Sequence, residues 1–291
     1  MQYRDLGKTG FKISVIGLGV EYLKKASVND ISKLFTVAFE EGVNYIDLVW
    51  TMPNIIEGLK TVINTTGKPP VLAFHLGSCL KNGCYRRSRN PIECEAYLRE
   101  LLDTLDLDSA PILNIHYAAN LDIWKELNRK GIVTLAQKLK TEGTAKAVEI
   151  STHEPEVIKV AVESGVVDCV MHQVNVANHF YAARDEALRL CHDRSVGVVA
   201  MKPLVGGELL KAGLKVKVAA YKTGWKNMTV NVPQNTNPSA LLNYVLCQPG
   251  VCTAVTGVSS IEELTADLKL FSASEAEKDY RQLIECIKTS E

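Results

Sequence analysis

The chain has 291 residues, 46% of them hydrophobic and 23% charged, which suits one large globular domain spanning residues 1–291. Thirty-three basic residues balance thirty-three acidic ones, so no net field recruits nucleic acid or an anionic membrane surface. No apolar stretch approaches the roughly 20 residues of a membrane span, and the polar start MQYRDLGKTG is unlike a signal peptide. A cytoplasmic protein with a small-molecule substrate is the expectation, and no segment specifies an oligomeric state.

The opening MQYRDLGKTGFKIS alternates apolar and polar residues around a KTG turn and predicts a β-hairpin. Eight apolar runs follow: SVIGLG to Gly19, VNYID to Asp47, VLAFH to His75, ILNIH to His116, AVEIS to Ser151, VMHQ to Gln173, GVVAMK to Lys202 and TAVTG to Gly257. Short runs rich in Val and Ile are what parallel strands buried on both faces look like. Helical segments stand between them. SVNDISKLFTVAFEEG opens on polar caps and stops at Gly42; NPIECEAYLRELLDTL has Asn90 as cap, Pro91 first and Glu93 third; EPEVIKVAVESG has Pro155 early and Gly165 at its end. Eight alternating strands and helices predict a closed (β/α)8 barrel, with the hairpin under its amino-terminal face and the chemistry at the carboxyl ends of the strands. All eight runs end on a polar residue or glycine that the apolar pattern does not require.

Two connections are long and read as irregular. Residues 76–90 carry Lys81, Arg86, Arg87 and Arg89, read either as a solvated basic loop or as groups meeting an anionic substrate. Residues 205–237 contain Trp225 with Lys222 and Lys226 and read as a lid or a peripheral insertion. Eight scattered cysteines form no CxxC pair, and Cys79, Cys84 and Cys94 have no fourth ligand at zinc or cluster spacing, so no metal is expected.

YRDLGKTGFKISVIGLG, EEGVNYID, LNIH, Ser151-Thr152 after VEI, HQVN, VGVVAMKPLVGG and NYVLCQPGVCTAVTGVSSIEELTADL, in that order, resemble an aldo-keto reductase across nearly the whole chain. The MKPL and STH wording is similar to bacterial and archaeal members that often carry an iron-sulfur tail, and no such tail is expected here. The resemblance implies a barrel that binds NAD or NADP in extended form without a Rossmann domain. It also implies a catalytic group of aspartate, tyrosine, lysine and histidine. Asp47 and His116 match two of these; Met52 stands at the tyrosine position and His75 at the lysine position. A thioether cannot donate a proton. That leaves His75, His116 and Asp47 as the candidate acid–base group, with Trp50, Met52 and Tyr117 around the substrate.

For the cofactor, the resemblance implies Ser151, Thr152 and Gln173 at the nicotinamide carboxamide. Asn175, Met201, Lys202, Pro203, Leu204, Gly257, Ser259 and Ser260 take neighbouring positions. Met201 stands where the family often has an aromatic ring. Glu262, Glu263 and Asp267 stand where NADP-preferring members place basic side chains, so NAD is favoured slightly. The expected activity is oxidation or reduction of a hydroxyl or carbonyl on a small molecule. The alternatives are a lyase, dehydratase or isomerase without net redox change, and a nucleotide-binding protein without catalysis.

Overall fold

The computed structural model describes residues 1–218 and 228–289. Eight parallel strands close a barrel: β1 (Ile16–Gly19), β2 (Tyr45–Leu48), β3 (Val71–Leu76), β4 (Ala110–Ile115), β5 (Ala145–Thr152), β6 (Cys169–Gln173), β7 (Gly197–Met201) and β8 (Val251–Gly257), each hydrogen-bonded to its sequence neighbours and β8 to β1. Every predicted run supplies one strand. The register places His75 beside Asn114, Asn114 beside Glu149 and Glu149 beside Cys169, one layer running across four strands. Strand alternation turns every second side chain inward. Tyr45, Ala73, Ile112, Cys169, Met171, Val199 and Val255 thus share one inner cluster.

The hairpin of Tyr3–Asp5 with Lys12–Ser14 plugs the floor. Its Leu6 and Ile13, both fully buried, join the inner cluster. Gly7 is obligatory there: its φ is +53°, and a Cβ would lie 2.4 Å from the Gly197 amide nitrogen. Gly17 serves the same end inside the barrel, since a Cβ would lie 2.8 Å from the Tyr45 ring.

The helices follow their caps. Ser27 accepts from the Asp30 amide ahead of Val28–Glu40, Asn90 accepts from the Ile92 and Glu93 amides ahead of Pro91–Thr104, and Ser260 accepts from the Glu263 amide ahead of Ile261–Leu268. Their apolar faces pack on the outside of the barrel in a second cluster, which holds Cys94 and Cys191 as small buried hydrophobes. Among the described residues no helix is long and apolar enough to cross a membrane.

Residues 76–90 depart from the expectation of an irregular loop. Ser78–Lys81 and Cys84–Arg87 form an antiparallel hairpin, turned by Asn82 (φ +52°) and Gly83 (φ +72°), the pair of left-handed residues that a two-residue hairpin turn demands. In the other long connection, Lys215–Val218 pairs with Met228–Asn231, which pairs with Ile287–Thr289. Lys222, Trp225 and Lys226, read as part of a lid or a peripheral insertion, lie outside the described residues.

Candidate active site

Asp47, His75 and His116 come from the ends of three adjacent strands, β2, β3 and the residue after β4, and the barrel brings them into one hydrogen-bonded line. Asp47 Oδ1 lies 2.5 Å from His75 Nε2, and His75 Nδ1 lies 2.9 Å from His116 Nδ1. All three residues are buried. The line continues to a residue the sequence reading passed over: His116 Nε2 lies 2.7 Å from Tyr85 Oη. Tyr85 sits on the second strand of the hairpin at residues 78–87, two positions after Gly83, and its ring leans on Trp50 with centroids 4.4 Å apart. The Asn82–Gly83 dipeptide between short alternating runs was the available signal for that hairpin.

The hairpin is anchored at its base rather than at its tip. Ser78 Oγ donates to the Val49 carbonyl at 2.7 Å, the Ser88 amide donates to the Gly77 carbonyl at 2.9 Å, and Arg86 pairs with Glu93. Of the four basic residues expected to face solvent or an anion, Arg86 and Arg89 are committed to the protein itself. The Arg89 guanidinium donates to the His116 carbonyl at 2.9 Å and the Tyr117 carbonyl at 3.1 Å. It thereby holds the exit of β4, where Tyr117 takes a φ of +56°. Arg87 lies over the Tyr117 ring, 4.3 Å from its centroid. Trp50 thus packs on Tyr85, and the Tyr117 ring lies beside the His116 imidazole with centroids 6.1 Å apart. Met52 is placed differently, as the N-cap of helix Pro53–Thr66, half-buried against the outer core.

The electrostatics divide the histidines. Burial pushes the His116 imidazole well below its ordinary range, and the charges of His75, Arg89 and Arg87 push the same way. His75, by contrast, meets the Asp47 carboxylate through Nε2. Beneath them Glu149 is fully buried, held by the Asn114 amide at 2.5 Å. Burial raises its carboxyl to about 7.

The candidate cofactor residues line the other side of the mouth, on β5 to β8. Ser151 Oγ accepts from the Tyr117 amide at 2.9 Å, which leaves its own O–H to donate. Thr152 Oγ1 accepts from the Glu154 amide at 3.0 Å. Gln173 ends β6, buried, and Asn178 Nδ2 donates to its backbone carbonyl at 3.0 Å. Asn175 reaches across to the Lys202 carbonyl at 3.2 Å, and its Oδ1 is buried without a hydrogen-bond partner among the described residues. Met201 is half-buried at the end of β7, followed by exposed Lys202, buried Pro203 and half-buried Leu204.

Gly257, Ser259 and Ser260 lead from β8 into helix Ile261–Leu268, where backbone amides would be free for a phosphate. The structure alters that expectation: the Ser259 amide and hydroxyl both donate to Glu263 Oε2, at 2.6 and 2.9 Å. Asp267, grouped with Glu262 and Glu263 as a repelling carboxylate, is 3% exposed. Burial raises its carboxyl to about 7. Of the three carboxylates, Glu263 is the one seated on Ser259.

These residues fit a nicotinamide dinucleotide unevenly. At one end Ser151 keeps a donor and Asn175 an unsatisfied buried acceptor. At the other end the Glu263 carboxylate already sits on the Ser259 amide.

Comparison with known proteins agrees with this barrel. Residues 15–288 match the profile of the Aldo/keto reductase family. The chain is 26% identical over 292 residues to the uncharacterized oxidoreductase YqkF of Bacillus subtilis (strain 168), covering 94% of this chain and 92% of that protein. It is 23% identical to the L-galactose dehydrogenase of Arabidopsis thaliana, covering 91% of this chain and 86% of that one. In three dimensions it superposes on the holo form of aldo-keto reductase AKR11C1 from Bacillus halodurans with a TM-score of 0.76 at 20% identity, covering 98% of this chain and 95% of that chain.

Proposed function

Because the chain belongs to the aldo/keto reductase family, we propose that this oxidoreductase interconverts a carbonyl and a hydroxyl on a small molecule through an acid–base group built on Asp47, His75 and His116. The observation that carries the reading is the continuous line from Asp47 Oδ1 through both rings. A bound NAD or NADP supplies or takes the hydride, as in the family. Ser151, Thr152 and Gln173 would hold the nicotinamide carboxamide, with Asn175, Met201, Lys202, Pro203 and Leu204 beside it and Gly257, Ser259 and Ser260 toward the adenosine end. The chain's own residues handle the proton. His75 takes the place of the family lysine as the cation, and Asp47 fixes its orientation and balances its charge. His116, kept neutral by burial, can pass a proton in either direction near neutral pH, where a positioned group of this kind contributes roughly 10²- to 10⁴-fold. NAD is the favoured nucleotide, because Glu263 occupies the Ser259 amide.

Titration of the protein with NADH and NADPH by nicotinamide fluorescence, followed by a screen of small carbonyl compounds for net oxidation of the bound nucleotide, tests this reading. Binding with turnover is expected, and His116→Ala on folded protein should lower kcat/KM by at least roughly a hundredfold. No binding of either nucleotide would remove hydride chemistry. Tight binding without turnover would favour a lyase or isomerase that uses the imidazoles for enolisation.

A further inference from the structure

Both nitrogens of His116 are engaged, one by His75 and one by Tyr85, so the imidazole has no free nitrogen with which to meet a substrate. The group at the open end of the line is a phenol. We propose that Tyr85, carried over the mouth by the hairpin at residues 78–87, is the catalytic residue that exchanges the proton with the substrate oxygen, with His116, His75 and Asp47 as the relay behind it. This rests on the oxidoreductase reading above.

The hydrogen bonds permit two complete arrangements that differ by one proton. In the first, His75 carries both ring protons, one donated to Asp47 and one to His116 Nδ1. His116 Nε2–H donates to Tyr85 Oη, and the phenol proton points away from the relay. In the second, His75 is neutral and keeps only the proton on Nε2, His116 carries its proton on Nδ1 and donates it to His75 Nδ1, and the Tyr85 hydroxyl donates to His116 Nε2. Reduction of a carbonyl converts the first into the second. The Tyr85 O–H bond breaks as its proton goes to the oxygen of the carbonyl whose carbon receives hydride from the nicotinamide. The phenolate takes the His116 Nε2 proton, and His116 Nδ1 takes the His75 proton. Oxidation of an alcohol runs the same shifts backward. One solvent proton, entering at half-buried Tyr85 after product leaves, resets the line.

Two further observations agree. Burial raises the Tyr85 hydroxyl above its ordinary range, so it stands protonated and able to donate near neutral pH. Trp50 packs on its ring, and the hairpin's base is pinned by Ser78, Ser88 and Arg86. The hydroxyl is therefore held at His116 rather than swinging in solvent.

Tyr85→Phe keeps the ring against Trp50 and removes only the oxygen. With NADH and 4-nitrobenzaldehyde as probes, kcat should fall by at least roughly a hundredfold while the NADH dissociation constant and the melting temperature stay near wild type. The ring ¹⁵N shifts of His116, followed against pH in the full chain without nucleotide, should change in the variant, because Nε2 loses its partner. Wild-type turnover by Tyr85→Phe would overturn the proposal and leave the oxidoreductase reading standing. Failure of the wild type to bind NADH would remove the hydride reading instead; the nitrogen shifts then decide alone, and unchanged His116 shifts would overturn the role of Tyr85.

Discussion

Replacing Glu149 by glutamine should stabilise the protein increasingly as pH rises from 4.5 to about 7, and most above that window. The side chain is fully buried between Asn114 and Cys169 on the neighbouring strands. Burial raises its carboxyl from the ordinary 4.5 to about 7; the charge of Asp47 adds to the rise and the Asn114 hydrogen bond opposes it. The sign follows from proton counting. Between pH 4.5 and about 7 the folded chain keeps a proton on Glu149 that the unfolded chain has released, so stability falls as pH rises through that window. Each pH unit within it costs about 1.4 kcal/mol, and the loss accumulates to roughly 3 kcal/mol by pH 8. Glutamine is neutral at every pH and keeps an oxygen for the Asn114 amide, so it escapes this loss. Thermal melts of both proteins at pH 5 and pH 8 measure it. The two should nearly coincide at pH 5, and at pH 8 the variant should melt higher by roughly 5 °C, at about 2 °C per kcal/mol for a domain of this size. An equal gap at both pH values, or a wild type that gains on the variant toward pH 8, would refute the reasoning.

Other substitutions test separate parts of the structure. Glu263→Ala frees the Ser259 amide and removes the facing charge, so the ratio of NADP to NAD dissociation constants should fall at least tenfold, about 1.4 kcal/mol, in a fluorescence titration. Gly17→Ala places a Cβ 2.8 Å from the Tyr45 ring and 3.2 Å from Thr253 Oγ1, and should cost about 1–3 kcal/mol in urea unfolding. Gly83→Val puts a β-branched residue at a φ of +72°. It should spoil the placement of Tyr85 and lower turnover by about an order of magnitude or more, while the melting temperature moves little because the turn is exposed.

The placement of Asp47, His75 and His116 at adjacent strand ends was legible in the chain, and so was the barrel that holds them. A parallel strand buried on both faces must be apolar nearly throughout, so a carboxylate or imidazole closing such a run stands out, and the two-residue period fixes which side chains turn inward. The helix boundaries at Ser27, Asn90 and Gly42 were legible for the same local reason, since a cap is satisfied by neighbours a few residues away. Tyr85 was not. Its hairpin has a local signature in Asn82–Gly83, but the partnership with His116 spans 31 positions and depends on how the hairpin folds back over the mouth, which the contacts of Ser78 with Val49 and of Arg86 with Glu93 decide. The phosphate end divided in the same way. The resemblance assigned Glu262, Glu263 and Asp267 one role, whereas the fold buries Asp267 and turns Glu263 onto the Ser259 amide. Charge is a property of the residue; what a charge faces, and whether water still reaches it, is settled only when distant segments pack.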